Sequence, residues 1–412
     1  AEDVRALAAC GAAPALALLD DGRPLGRDAL GDRFAAELFR GGGAAVLWAQ
    51  GGGATDAPQL LDRPQVFAPV FPEPWSVYRP ELAPESGLFQ GGFQFSAYAD
   101  PALLQHGGWR SAAENAGAGA VARLPFARAI LALLQGARLL LPWLTVTGIS
   151  DVRFFAQPEI FPGITREGRV TARGRPWIMH DGAMTRMCRT RLDMRGLTAN
   201  GRHTDTFSPL AEGMALLASG PRDAPPLGAL PPGPDEPLPA PEPLPLQQLY
   251  ARLGFGPDWR LLSRLVPVLR RQAGDVLAVH RGTLAPEGVG RGAQDGDAPA
   301  IAPRADWGYA YALRLTAAVM ESASLVLAHE AASAEDEEAG ATHWRCEGVG
   351  YLRFGALAAQ GPAATGRPEA LELRRTWDDG RRVRFDAEVA APGGEVLLTV
   401  HHLEFERQAA AG

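Results

Sequence analysis

The stretch from Asp223 to Gln247, DAPPLGALPPGPDEPLPAPEPLPLQ, holds ten prolines in twenty-five residues. Each proline fixes φ and removes a backbone donor, so the segment reads as a semi-rigid spacer between two folded units. A second proline-rich boundary, FAPVFPEPWSVYRPELAPES, runs from Phe67 to Ser86. The chain is thereby divided into a leader over 1–66, a linker over 67–85, a first unit over 86–222, a spacer over 223–245 and a second unit over 246–408.

The two units repeat one order of elements. In the first, GLFQGGFQFSAY (87–98) alternates like a strand, and RLPFARAILALLQGARLL (123–140) reads as a helix. VTGISDVRFFAQPEIF, GRVTARG and MCRTRLDMRG then read as strands split by turn residues. In the second, LYARLGFGPDWRLLSRL leads into strand-like DVLAVHRGTL, followed by the helical run YALRLTAAVMESASLVLAHE (311–330). WRCEGVGYLRFGAL, EALELRRTW and RRVRFDAEVAAPGGEVLLTVHHLEFER alternate with period two, and PGGE at 392–395 marks a hairpin. One long helix and several antiparallel strands per unit predict an α+β layout in which a sheet wraps its helix.

Composition narrows the function. The chain has 412 residues and a net charge of −7, which argues against nucleic acid and gives no support for an anionic membrane surface. Every basic residue is arginine, a bias we attribute to codon usage. Cys10, Cys188 and Cys346 lie far apart with no CxxC pair, so neither a disulfide framework nor a structural zinc site is expected, and a cytoplasmic location is the default. The apolar run RAILALLQGARLLLPWL is too interrupted to span a bilayer. The start AEDVRALA, without methionine, is how an internal piece of a larger polypeptide would begin. No Gly-rich nucleotide loop and no GxSxG elbow is present.

These residues resemble the dehydratase domains of type I polyketide and polyunsaturated fatty acid synthases, which have a double hot-dog fold. LGFGPDWRLLSRL resembles the Gly-Pro-aromatic segment that opens the second half, and VMESASLVL its central helix with an acidic residue in the pocket. DPALLQH resembles the segment that delivers the catalytic histidine, and LPFARAILALLQGA the first helix with its leading proline. The leader's GRPLGRDALGDRFAAELFRGGGAAVLWAQ resembles the last helix and strand of a ketoreductase domain.

The resemblance implies removal of water from a 3-hydroxyacyl thioester carried on the phosphopantetheine arm of an acyl carrier protein. No cofactor or metal is implied. Expected partners are the carrier and neighbouring synthase domains, within a homodimeric parent synthase. His106 would be the base and Glu321 the acid; Leu124, Pro125 and Phe126 would form the electrophilic helix start, and Phe255, Gly256, Pro257, Trp259 and Leu325 the substrate channel.

The signature departs from the family in three places. The family spaces histidine, glycine and proline as HxxxGxxxxP, but counted back from Pro125 the glycine and histidine slots hold Ala120 and Ala116. His106 lies nineteen residues before Pro125 instead of nine, so a segment such as GGWRSAAENA must be an insertion. Glu321 replaces the usual aspartate, and Leu325 the glutamine one turn later. Two other readings therefore stay open: a scaffold that has lost its chemistry, in which His106 is only a loop residue, and a related domain that guides cyclisation or isomerisation. Asp386 is read as a charge partner of Arg384, and His401, His402 and Glu404 as lacking a third ligand at fixed spacing for a metal.

Overall fold

The computed structural model describes residues 15–19, 45–50, 59–60, 81–83, 88–95, 101–107, 122–141, 144–161, 164–180, 183–198, 201–230, 236–237, 242–270, 276–285, 307–333, 342–356 and 369–409. In the leader, β1 (Ala15–Leu19) and β2 (Ala45–Gln50) pair in parallel, and β3 (Gln59–Leu60) is antiparallel to β2. The helix expected between β1 and β2 lies outside the described residues.

The first half comprises β4 (Glu81–Ala83), β5 (Leu88–Phe95), β6 (Ala122–Arg123), α1 (Phe126–Leu140), β7 (Thr145–Phe154), β8 (Glu159–Ile160), β9 (Arg166–His180), β10 (Ala183–Leu197) and β11 (His203–Ala218). The second comprises β12 (Glu236–Pro237), α2 (Leu246–Leu253), β13 (Leu262–Arg270), β14 (Ala278–Leu284), α3 (Trp307–Ser333), β15 (Thr342–Phe354), β16 (Ala370–Asp378), β17 (Arg382–Ala390) and β18 (Val396–Ala409). Strands β9–β11 and β15–β18 wrap α1 and α3 respectively, which is the double hot-dog arrangement.

The two sheets join edge to edge. Strands β7 and β15 pair antiparallel from Gly348↔Arg153 to Arg353↔Gly148, giving one sheet of thirteen strands among the described residues. This seam sets the halves side by side and brings α1 against α3.

Helix α3 is enclosed because it is apolar almost all round, and α1 because it turns a broad apolar face to its sheet. On α1, Ile130, Leu133, Leu134 and Ala137 are fully buried, each large side chain contributing roughly 1.5–3 kcal/mol. On α3, the small hydroxyls return to their own backbone, Thr316 to the Ala312 carbonyl at 2.7 Å and Ser322 to that of Val319 at 2.7 Å. Segment Tyr311–Ala332 of α3 is long and apolar enough to cross a bilayer, but 78% of its apolar window is buried inside the sheet, so it is the core helix of this half. Glu321, only 4% exposed, is the acid left in that interior.

Three features differ from the sequence expectation. The LQQLYARL run forms α2, opened after Pro245 and closed by Gly254 in the left-handed region at φ 68°. Strand β11 was not expected, because its polar start and Pro209 hide the pattern; Pro209 is accommodated where the β10–β11 register shifts beside Asp193.

The third difference is the proline-rich spacer, whose start is strapped across the outer face of the second sheet. Thr399 Oγ1 donates to the Pro225 carbonyl at 2.5 Å, the Leu227 amide donates to Glu388 at 2.6 Å, and Arg374 donates to the Gly228 carbonyl at 2.6 Å.

Candidate active site

Residues 101–107 carry His106 across to the second half, where they dock on the GFGPDW segment. His106 forms a single antiparallel bridge with Phe255. The Gly256 amide donates to the Gln105 carbonyl at 2.7 Å and the Gly107 amide to the Gly254 carbonyl at 3.1 Å. Trp259 Nε1 donates to the Ala102 carbonyl at 2.6 Å, while the Gln105 side chain exchanges two hydrogen bonds with Asp258 at 2.8 and 3.0 Å. A Cβ at Gly107 would lie 2.8 Å from the Gly254 oxygen, so the approach requires glycine there.

The His106 ring is held on two sides. Its centroid lies 4.8 Å from that of Phe255 and 5.0 Å from that of Trp259. Its Nδ1 lies 3.1 Å from the Arg123 carbonyl, which can only accept, so Nδ1 carries the hydrogen and Nε2 keeps its lone pair. Burial lowers the imidazole pKa to about 4, against the opposing pull of the Arg123 carbonyl. The ring is therefore neutral near pH 7.

Glu321 is the counterpart from α3. Oε1 accepts the Tyr250 hydroxyl at 2.5 Å and the Leu261 amide at 3.0 Å. Burial pushes its carboxyl up to about 8, although both of those hydrogen bonds pull it down. Near pH 7 it is mostly protonated, and so a donor.

His106 and Glu321 line one cavity of about 260 Å³. Pro125, Phe126 and Ala127 border it at the start of α1, where helical bonding begins with the Arg128 amide donating to the Pro125 carbonyl at 3.0 Å. Phe255, Trp259 and Met320 supply apolar wall. From the ends of β15 and β18 come Trp344, Cys346 and Phe405, which sequence reasoning did not single out. Burial raises the Cys346 thiol pKa, so it is not a ready nucleophile.

The expected site residues thus fall into two groups. His106, Glu321, Pro125, Phe126, Phe255 and Trp259 converge on the cavity. Leu124, Gly256, Pro257 and Leu325 are not among its lining residues. The Leu124 amide is spent on the Pro158 carbonyl at 2.9 Å and Pro125 has no N–H, so the free amides of the helix start at Phe126, two residues later than expected. Leu325 is fully buried, whereas the lining face of α3 is Ala317, Met320, Glu321 and Ser324. Gly256 and Pro257 act through backbone, shaping the docking turn.

Away from the cavity, Asp386 does not pair with Arg384. Its carboxylate meets His401 Nδ1 at 3.0 Å and the His402 amide at 2.8 Å, while Arg384 pairs with Glu404 at 2.9 Å. The cause is a bulge on β18, where His402 adopts φ 55° and offsets the register opposite Asp386. Ala116, Ala120 and the proposed insertion beyond Gly107 lie outside the described residues.

No protein-family model and no curated protein matches the sequence. Solved structures match over most of their length. The dehydratase domain from the terminal module of the rifamycin polyketide synthase aligns at TM-score 0.50 and 15% identity, covering 82% of this chain and 96% of that one. The dehydratase domain from the CurJ module of the curacin polyketide synthase aligns at TM-score 0.52 and 12% identity, covering 80% and 95%. An inactive histidine-to-phenylalanine mutant of the CurJ dehydratase, in complex with a small compound, aligns at TM-score 0.51 and 11% identity, covering 80% and 95%. The chain has the fold of polyketide synthase dehydratase domains.

Proposed function

We propose that this chain is a dehydratase that eliminates water from 3-hydroxyacyl thioesters presented on the phosphopantetheine arm of an acyl carrier protein, as a domain among others in a synthase. The observation that carries this reading is a neutral histidine from one half and a protonated carboxyl from the other lining the same cavity. A scaffold has no need of either state. Two titratable groups whose environments hold them in opposite roles at one pH are the mark of acid–base chemistry.

In this mechanism Nε2 of His106 takes the proton from C2 of the acyl chain. Charge developing on the thioester oxygen is met by the free amides of Phe126 and Ala127 at the start of α1, where the helix dipole adds to them. Glu321 gives its proton to the C3 hydroxyl, the C3–O bond breaks, water leaves and the C2–C3 double bond forms. The proton on His106 then restores Glu321 by way of solvent. The aromatic walls exclude bulk water from the acyl chain.

The test is turnover of a carrier-bound 3-hydroxyacyl thioester, followed by mass spectrometry. Wild type should form the enoyl product, and His106→Ala and Glu321→Gln should each lose about 10²–10⁴-fold in rate. A folded wild-type domain without turnover of any 3-hydroxyacyl thioester would overturn the enzyme in favour of the scaffold.

A further inference from the structure

Tyr250 is fully buried at 2% exposure, on α2 of the second half, and its ring borders Phe255 at 6.3 Å between centroids. Its hydroxyl has one hydrogen and a choice of two acceptors, Glu321 Oε1 at 2.5 Å and the Leu262 carbonyl at 3.4 Å. The shorter contact takes the hydrogen. The same oxygen accepts the Leu262 amide at 3.0 Å, which fixes it in place. Burial and the neighbouring Glu321 both raise the phenol pKa, so the hydroxyl stays protonated and remains a donor.

Two donors, Tyr250 and the Leu261 amide, therefore fall on one oxygen of Glu321. Among the described residues Oε2 receives no protein donor. A neutral carboxyl in this setting places its hydrogen on Oε2, because Oε1 already faces two hydrogens. We propose that Tyr250 is the positioning residue of the acid, pinning Oε1 so that Oε2 carries the transferable proton and setting the pH at which that proton is lost. The role in turnover rests on the dehydratase reading above. The control of Glu321 ionisation does not.

A purely structural role is the rival, since the hydroxyl also ties α2 to β13 through Leu262. The two differ in one readout. The protonated Glu321 carboxyl has an infrared C=O band, assigned by its absence in Glu321→Gln, and its titration reports the pKa directly. In Tyr250→Phe the anion loses a donor, so the midpoint should rise by about one to two units above the wild-type value. A folded Tyr250→Phe protein with an unmoved midpoint overturns the proposal.

Should Tyr250→Phe fail to fold, Glu321→Gln decides. The glutamine oxygen can take both donors while its amide stands where the Oε2 hydroxyl was, so at pH 5 its Tm should stay within about 3 °C of wild type. A fall beyond about 10 °C would show that the hydrogen is not on Oε2 and would overturn the assignment. Absence of wild-type turnover would sink the dehydratase reading alone, because the infrared midpoint still decides the role of Tyr250.

Discussion

Replacing Glu321 by glutamine should flatten the stability of this protein against pH, and the magnitude follows from its burial. The unfolded carboxyl titrates at 4.5 and the folded one at about 8. Between those values the folded chain holds a proton that the unfolded chain has released. Stability therefore falls as pH rises, at about 1.36 kcal/mol per unit. Over about 3.5 units the loss reaches ~5 kcal/mol, an upper figure because water entering the site would relieve part of it. That is a large share of the 5–15 kcal/mol that keeps a typical domain folded. His106 and His280, both lowered to about 4 by burial, act in the opposite sense, since their stabilisation is lost as pH falls from 6.5. From pH 6.5 to 8 the histidine contribution is common to both proteins, so the stability difference between wild type and Glu321→Gln isolates Glu321 and should change by ~2 kcal/mol, wild type losing ground to the variant. Urea unfolding at closely spaced pH values measures this. Curves that stay parallel across the window would refute the buried, protonated acid.

Two further outcomes follow from the same geometry. The kcat/KM of the wild-type domain on a 3-hydroxyacyl thioester should be bell-shaped, rising as His106 loses its proton near pH 4 and falling as Glu321 loses its own near pH 8; an acid limb centred at 6.5 would contradict the burial of His106. Gly107→Ala should destabilise the fold by about 1–3 kcal/mol and depress turnover, because its Cβ meets backbone at Gly254 and pushes the His106 loop away; wild-type kinetics in that variant would show that docking does not place the base.

Much of the second half was legible because its strands alternate cleanly. In β17, Val383, Phe385, Ala387 and Val389 face the helix and the residues between them face out. Glu321 stood out for the converse reason, as a charge inside an apolar helical run that a packed core would not hold without purpose. What stayed hidden depends on register or on contacts between the halves. Trp344 and Phe405 reach the cavity because β15 pairs with β18 in one alignment, Cys346 opposite Phe405, which local pattern does not specify. Tyr250 was masked in a different way. Its helix is only eight residues long, too short for periodicity to announce, although the proline before it and the glycine after it were signals. Asp386 was misassigned because alternation alone places it near Arg384, while one bulge residue, His402, redirects it to His401.

The nineteen-residue spacing from His106 to Pro125 was the strongest sequence argument against a working site, and it can be weighed against the contacts that hold His106. The cost of a longer loop grows only with the logarithm of its length. Going from about nine residues to about nineteen costs roughly 0.7 kcal/mol by the chain-closure relation. Against that stand the anchors of the histidine segment, namely the Gln105 and Gly107 backbone bonds, the Trp259 bond to Ala102 and the Gln105–Asp258 pair. Each contributes on the order of 0.5–1.5 kcal/mol, so their sum exceeds the closure term several-fold. His106 is therefore placed by what it docks against in the other half, not by its distance along the chain from the helix. A motif defined by spacing detects the usual route to that dock. The residues at the dock itself, Gly254, Phe255, Gly256 and Trp259, detect the destination, and they are present in this chain.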